Sequence, residues 1–309
     1  MKRFFLLLTG LALILSFVAC KNVNPQIPTL TTGPAETAEP TVEATSEPTA
    51  EPSSEPTQPT KPTQPKPSVP ENTGPVEFTP VTSSESYFET KAYTPPGKVG
   101  DIQYLFHEPI RNTGKSYPLI IFLHGLGDRI SERSLGTSTQ LVKTLMQLEN
   151  QKEEFSAYTL VPITPYGSEG WWVNWQLEFL KQLIYELPKS YNIDPKRIYV
   201  TGISMGGYTT CQLLSEMKPD TFAAAVPLSG AYNLINPVAV NNTAIRIYHS
   251  ALDTVVDVSC SRSLYQQLKT CYHPKSEYFE FSHGNHTSPL YDVYYDRSFY
   301  DWLFAQKLP

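Results

Sequence analysis

The chain has 309 residues and a formal net charge of −6, with 28 prolines and an uneven spread of acidic groups. Residues 21–90 hold 3 Lys and 10 Glu, a net of −7, which leaves the stretch after Thr90 at −1. That length suffices for a large buried core, and near neutrality excludes the basic footprint that nucleic-acid binding needs.

Met1-Lys2-Arg3 and the apolar run of residues 4–18 read as an export signal, too short for a membrane span. The run ends in Phe17-Val18-Ala19-Cys20, which resembles the lipobox of bacterial lipoproteins, with Phe17 where leucine is usual. That resemblance implies lipidation of Cys20 and membrane attachment through the lipid alone. An ordinary secretory signal cut after Ala19 fits the same run.

Residues 21–90 are rich in Pro, Thr, Glu and Ser, with a loose repeat in Glu47-Pro48-Thr49, Glu51-Pro52-Ser53 and Glu55-Pro56-Thr57. Such a stretch buries too little apolar surface to fold and is expected to be a disordered tether. At roughly 3.1 Å per residue in extended proline-rich form, it reaches on the order of 200 Å.

Residues 91–309 read as one domain. Strand-like runs at 102–107, 118–124, 158–162, 197–202, 223–228, 245–249 and 277–281 alternate with helical stretches at 140–149, 175–187, 205–217, 261–269 and 297–305. That alternation is the mark of an α/β fold, a mostly parallel central sheet flanked by helices. Leu119-Ile120-Ile121-Phe122-Leu123 is continuously apolar, as a strand buried on both faces should be. Cys211 reads as a small buried hydrophobe, whereas a bridge between Cys260 and Cys271 is open in an exported protein and awaits geometry.

Gly202-Ile203-Ser204-Met205-Gly206 follows a strand and opens a helix, a setting that strains the turn and lifts the serine hydroxyl above the sheet. A serine nucleophile needs a base, and the base an orienting carboxylate. Downstream, His249-Ser250-Ala251-Leu252-Asp253 and His283-Gly284-Asn285-His286 each follow a strand, at the edge where a parallel sheet gathers functional loops. Asp257 competes with Asp253, and His283 with His286. His249 reads as positional, and His124 as a brace for the loop after the second strand. No cluster has metal-ligand spacing, so neither metal nor cofactor is expected.

With Leu123-His124-Gly125-Leu126-Gly127, the Gly202–Gly206 elbow, the Asp253 loop and the ending Tyr300-Asp301-Trp302-Leu303, residues 100–304 resemble the α/β hydrolases. More narrowly they resemble secreted esterases related to feruloyl and acetylxylan esterases and polyhydroxyalkanoate depolymerases. The resemblance implies Ser204 as nucleophile, Asp253 as acid, His286 as base, and an oxyanion hole from the backbone N–H groups of Met205 and Leu126. It implies an ester-bearing glycan or small ester as substrate, with a serine peptidase of the same fold or a catalytically silent surface binding module as alternatives. Relatives commonly carry tryptophan three residues after the histidine, where this chain has Pro289. In Gly170-Trp171-Trp172-Val173-Asn174-Trp175 one tryptophan is expected in the core, and Trp171 or Trp172 at the pocket border, suited to sugars or phenolic rings.

Overall fold

The computed structural model describes residues 88–98, 100–110, 113–126, 136–164, 171 and 174–309. The expectations for the export signal, Cys20, most of the tether and Trp172 lie outside them.

Eight strands make one sheet: β1 (Glu89–Tyr93), β2 (Ile102–His107), β3 (Tyr117–Leu123), β4 (Tyr158–Ile163), β5 (Ile193–Ile203), β6 (Ala224–Leu228), β7 (Ala244–Ser250) and β8 (Ser276–Phe281). Their order is β1-β2-β4-β3-β5-β6-β7-β8. The run from β4 to β8 is parallel throughout, and β1 and β2 close one edge as antiparallel strands.

Among the described residues six α-helices accompany the sheet: α1 (Gly136–Gln151), α2 (Asn174–Ser190), α3 (Met205–Glu216), α4 (Ser259–Thr270), α5 (Ser288–Tyr294) and α6 (Arg297–Phe304). On one face Leu119, Ile121 and Leu123 of β3 share a core with Leu180 and Ile184 of α2, Leu213 of α3 and Leu264 of α4. On the other, Ile120 and Phe122 pack with Leu145 of α1, Leu290 of α5 and Tyr300 of α6. Helices on both faces are why the β3 run never alternates with polar residues. Each fully buried side chain of this kind contributes about 1.5–3 kcal/mol.

Cys260 lies near the start of α4 and Cys271 just past its end, and both are free thiols. At a rise of 1.5 Å per residue they stand about 16 Å apart along the helix axis, well beyond disulfide reach of about 7 Å. The bridge left open by the sequence is therefore excluded. Cys211 is buried in α3, which pushes its thiol up to about 12, so it behaves as a hydrophobe.

Parallel crossovers bring the C-terminal ends of β3, β5, β6, β7 and β8 to one edge of the sheet. His124 and Leu126 follow β3, Ser204 and Met205 follow β5, Asp253 follows β7 and His286 follows β8.

Candidate active site

Ser204 sits between β5 and α3 with φ 56° and ψ −116°, a left-handed backbone that a non-glycine residue adopts only under strain. Its N–H donates to Leu228 O at 2.9 Å, which pins the elbow to the end of β6. Gly206 makes the turn possible, because a Cβ there would overlap the Leu123 carbonyl of β3. Only hydrogen lets α3 start this close to the sheet. Met205 is the first residue of α3, so helix geometry leaves its N–H without an intrahelical partner and at the positive end of the helix dipole.

The loop after β3 packs beside the elbow. A Cβ on Gly125 would stand 3.7 Å from Ser204 Cβ, and Leu126 follows, half-buried against the core. His124 fixes this loop. Its Nδ1 lies 2.8 Å from Gly125 O and its Nε2 3.2 Å from Thr164 N. A carbonyl can only accept and an amide N–H only donate, so the ring is the neutral tautomer with hydrogen on Nδ1. His124 is thus a brace, as the sequence reading expects. Trp171, fully buried, stands behind it with ring centroids 5.3 Å apart. It lies in the core, not exposed at a pocket border.

Asp253 and His286 meet across two loops. Asp253 Oδ2 accepts from His286 Nδ1 at 2.7 Å, while Oδ1 accepts from the N–H groups of Val255 and Val256 at 2.8 and 3.0 Å. The Asp253 side chain is wholly buried and that of His286 is 15% exposed. Burial opposes ionisation of Asp253, but hydrogen bonds from His249, His286 and the two amides outweigh it and hold the carboxyl well below the usual carboxylate range.

The two loops are tied together. Ser250 O–H donates to His283 O at 2.8 Å, and Ala251 N–H to Phe281 O at 2.8 Å. The His286 loop is shaped by Gly284 at φ 81° and by Asn285, whose Oδ1 accepts from Thr287 N–H at 3.0 Å and Ser288 O–H at 3.2 Å. Pro289 falls in the first turn of α5, where its missing N–H has no intrahelical partner to lose.

The competitors fall away by geometry. Asp257 accepts from Ser259 N–H at 2.9 Å at the start of α4, and His283 pairs with Asp292 at 3.2 Å on an exposed surface. His273 contacts Val240 O at 3.0 Å, and His107 lies 3.9 Å from Glu149. Among the described residues no hydrogen bond joins Ser204 to His286, and such contacts are commonly loose in ligand-free enzymes.

His249 carries more than sequence reasoning gave it. At the end of β7 its Nε2 lies 3.0 Å from Asp253 Oδ2 and 3.1 Å from Val256 O, and its Nδ1 2.7 Å from Ser261 Oγ. The spacing of four residues from His249 to Asp253 was visible, but no periodic rule places such a pair in contact where a strand turns into a loop.

Comparisons agree with this architecture. A model of the prolyl oligopeptidase family matches residues 175–243, a stretch that includes the elbow. Poly(3-hydroxyalkanoate) depolymerase C of Paucimonas lemoignei is 26% identical over 159 residues, covering 48% of this chain and 36% of that protein. A bifunctional acetylxylan esterase/xylanase of Neocallimastix patriciarum is 30% identical over 125 residues, covering 38% of this chain and 16% of that protein. The chain thus spans well under half the length of the curated relatives it matches. The solved structure of a thermostable esterase superposes with a TM-score of 0.61 at 28% identity, covering 72% of this chain and 63% of that one. Strand order, elbow and structural match together give the chain the α/β-hydrolase fold.

Proposed function

We propose that the protein is a serine esterase that cleaves carboxylic esters outside the cytoplasm, with acetyl or feruloyl groups on plant polysaccharide as the substrate class. The single observation that carries the reading is Asp253 Oδ2 at 2.7 Å from His286 Nδ1, on loops at the same sheet edge as the strained Ser204. An aspartate bonded to Nδ1 fixes the imidazole with Nε2 bare, the form that can take a proton from a serine hydroxyl.

In this mechanism His286 Nε2 removes the Ser204 proton as Oγ attacks the ester carbonyl. The oxyanion is held by the N–H groups of Met205 and Leu126. His286 then passes the proton to the leaving alcohol, and water repeats the sequence on the acyl-enzyme. Asp253 stays ionised and stabilises the imidazolium. The polymer-bound ester is supported by the motif resemblance, by the acetylxylan esterase/xylanase relative and by a signal-like run followed by a proline-rich stretch.

A peptidase reading has one observation in its favour, the prolyl oligopeptidase family match. The matched residues contain Ser204 but neither Asp253 nor His286, so the match bears on the elbow that both classes share. Hydrolysis of 4-nitrophenyl acetate, methyl ferulate, acetylated xylan and a peptide anilide by wild type and Ser204→Ala tests the proposal. Serine-dependent cleavage of the ferulate or the xylan is expected. Cleavage of the anilide alone would move the protein to the peptidases, and labelling of no serine by a fluorophosphonate would leave a binding module.

A further inference from the structure

The Asp253 carboxylate has two imidazole partners, and only one faces the reaction. Val256 O can only accept, so His249 Nε2 at 3.1 Å carries a hydrogen, and the same hydrogen points to Asp253 Oδ2 at 3.0 Å. In the neutral ring Nδ1 is then the acceptor, and Ser261 O–H, 2.7 Å away on α4, is its donor. His249 and Ser261 are both wholly buried, so water does not compete for these bonds. The result is a line of four side chains from α4 through the end of β7 to the loop after β8: Ser261, His249, Asp253, His286.

We propose that His249, oriented by Ser261, is a positioning residue for the acid of the site. Asp253 Oδ1 is already fixed by two backbone N–H groups on its own loop. The His249 N–H fixes Oδ2, so the carboxylate plane cannot rotate away from His286, and the base keeps one ring orientation and one tautomer between turnovers. Ser261 is the outer lock, because without its hydroxyl the His249 ring loses the partner that selects hydrogen on Nε2. Preorganisation of this kind acts on the chemical step and leaves substrate binding untouched.

The inference rests on the reading of Ser204, Asp253 and His286 given above, and the test separates the two. In the full chain, kcat, KM and Tm with 4-nitrophenyl acetate are compared for wild type, Ser204→Ala, His249→Leu, His249→Gln and Ser261→Ala. His249→Leu keeps volume without a donor and is expected to lose about 10- to 100-fold in kcat at nearly constant KM, the value of one hydrogen bond to a charged group. His249→Gln restores an N–H at the Nε2 position and should recover most of that loss, with Ser261→Ala in between. Equal kcat in wild type and His249→Leu overturns the proposal, as does a glutamine variant no better than the leucine one. If His249→Leu does not fold, wild-type kcat in Ser261→Ala overturns it alone. If wild type and Ser204→Ala are equally inert, the esterase reading has failed, and the His286 Nδ1–H proton resonance decides the positioning role without turnover: loss or broadening in His249→Leu supports it, and an unchanged signal overturns it.

Discussion

Asp253 and His286 are joined by a hydrogen bond of 2.7 Å between residues on loops that follow different strands, and the same oxygen lies 3.0 Å from His249. One carboxylate oxygen therefore meets two imidazole N–H groups, which is a demand for charge that an amide cannot meet.

Asp253→Asn turns that demand into a clash. The amide oxygen is drawn to the Val255 and Val256 N–H groups, which leaves the NH2 facing His249 and His286, both donors. His286 relieves the conflict by moving its hydrogen from Nδ1 to Nε2, the tautomer that cannot accept the serine proton. A fall of about 10⁴-fold in kcat is expected on the scale of such tautomer errors. Steady-state turnover of 4-nitrophenyl acetate checks it, and a loss of less than tenfold would contradict the assigned role.

The same carboxylate makes stability depend on pH in a predictable direction. Its folded value is depressed, so it contributes stability above its unfolded value of about 3.9 and loses it as pH falls toward the folded value. Wild type should exceed Asp253→Asn in urea midpoint near neutral pH, with the gap narrowing below about pH 4 as the carboxylate is protonated. Urea titrations of both proteins from neutral to acid pH read this directly. A gap that stays constant would show that the carboxylate's charge is not what its surroundings stabilise.

Gly206→Ala tests the elbow itself. The added methyl meets backbone, the Leu123 carbonyl of β3, and no side-chain rotation can clear it. Relief requires α3 to move off the sheet, at a cost of roughly 1–3 kcal/mol or more for overpacking a core contact. The expected result is a lower Tm together with lost labelling of Ser204 by a fluorophosphonate. Wild-type labelling would show that the turn tolerates a Cβ.

Much of the fold was legible because buried parallel strands are written as apolar runs. The run at 102–107 coincides with β2, and the reading of 158–162 falls one residue short of β4. β1 was missed because Glu89-Thr90-Lys91-Ala92-Tyr93 is an edge strand with no apolar run. The start of β5 was hidden by Asp194-Pro195-Lys196, and α5 is too short, at 7 residues, to show a helical period. In the site, the elbow was visible as a local pattern. The choice of His286 over His283 came from resemblance, and the geometry behind it, one histidine reaching Asp253 and the other Asp292, depends on how the loop after β8 folds around Gly284. The role of His249 is not legible in the sequence, because its partners, Asp253 and Val256 on the loop after β7 and Ser261 on α4, stand at no periodic spacing from it.

Trp171 gives a test that separates packing from binding. It is fully buried against His124, and among the described residues its indole N–H meets no acceptor. Trp171→Ala should therefore open a cavity behind the loop of Gly125 and Leu126 and cost about 3–5 kcal/mol, which lowers Tm by roughly 10 °C for a domain of this size. Trp171→Phe keeps most of the volume and surrenders no hydrogen bond, so it should lie close to wild type. Because the loop that Trp171 supports is the one expected to supply an oxyanion donor, the alanine variant should lose kcat more than KM. A raised KM for aryl esters with unchanged Tm would instead mean that the ring reaches substrate. Thermal melts and steady-state kinetics on the three proteins distinguish the two outcomes.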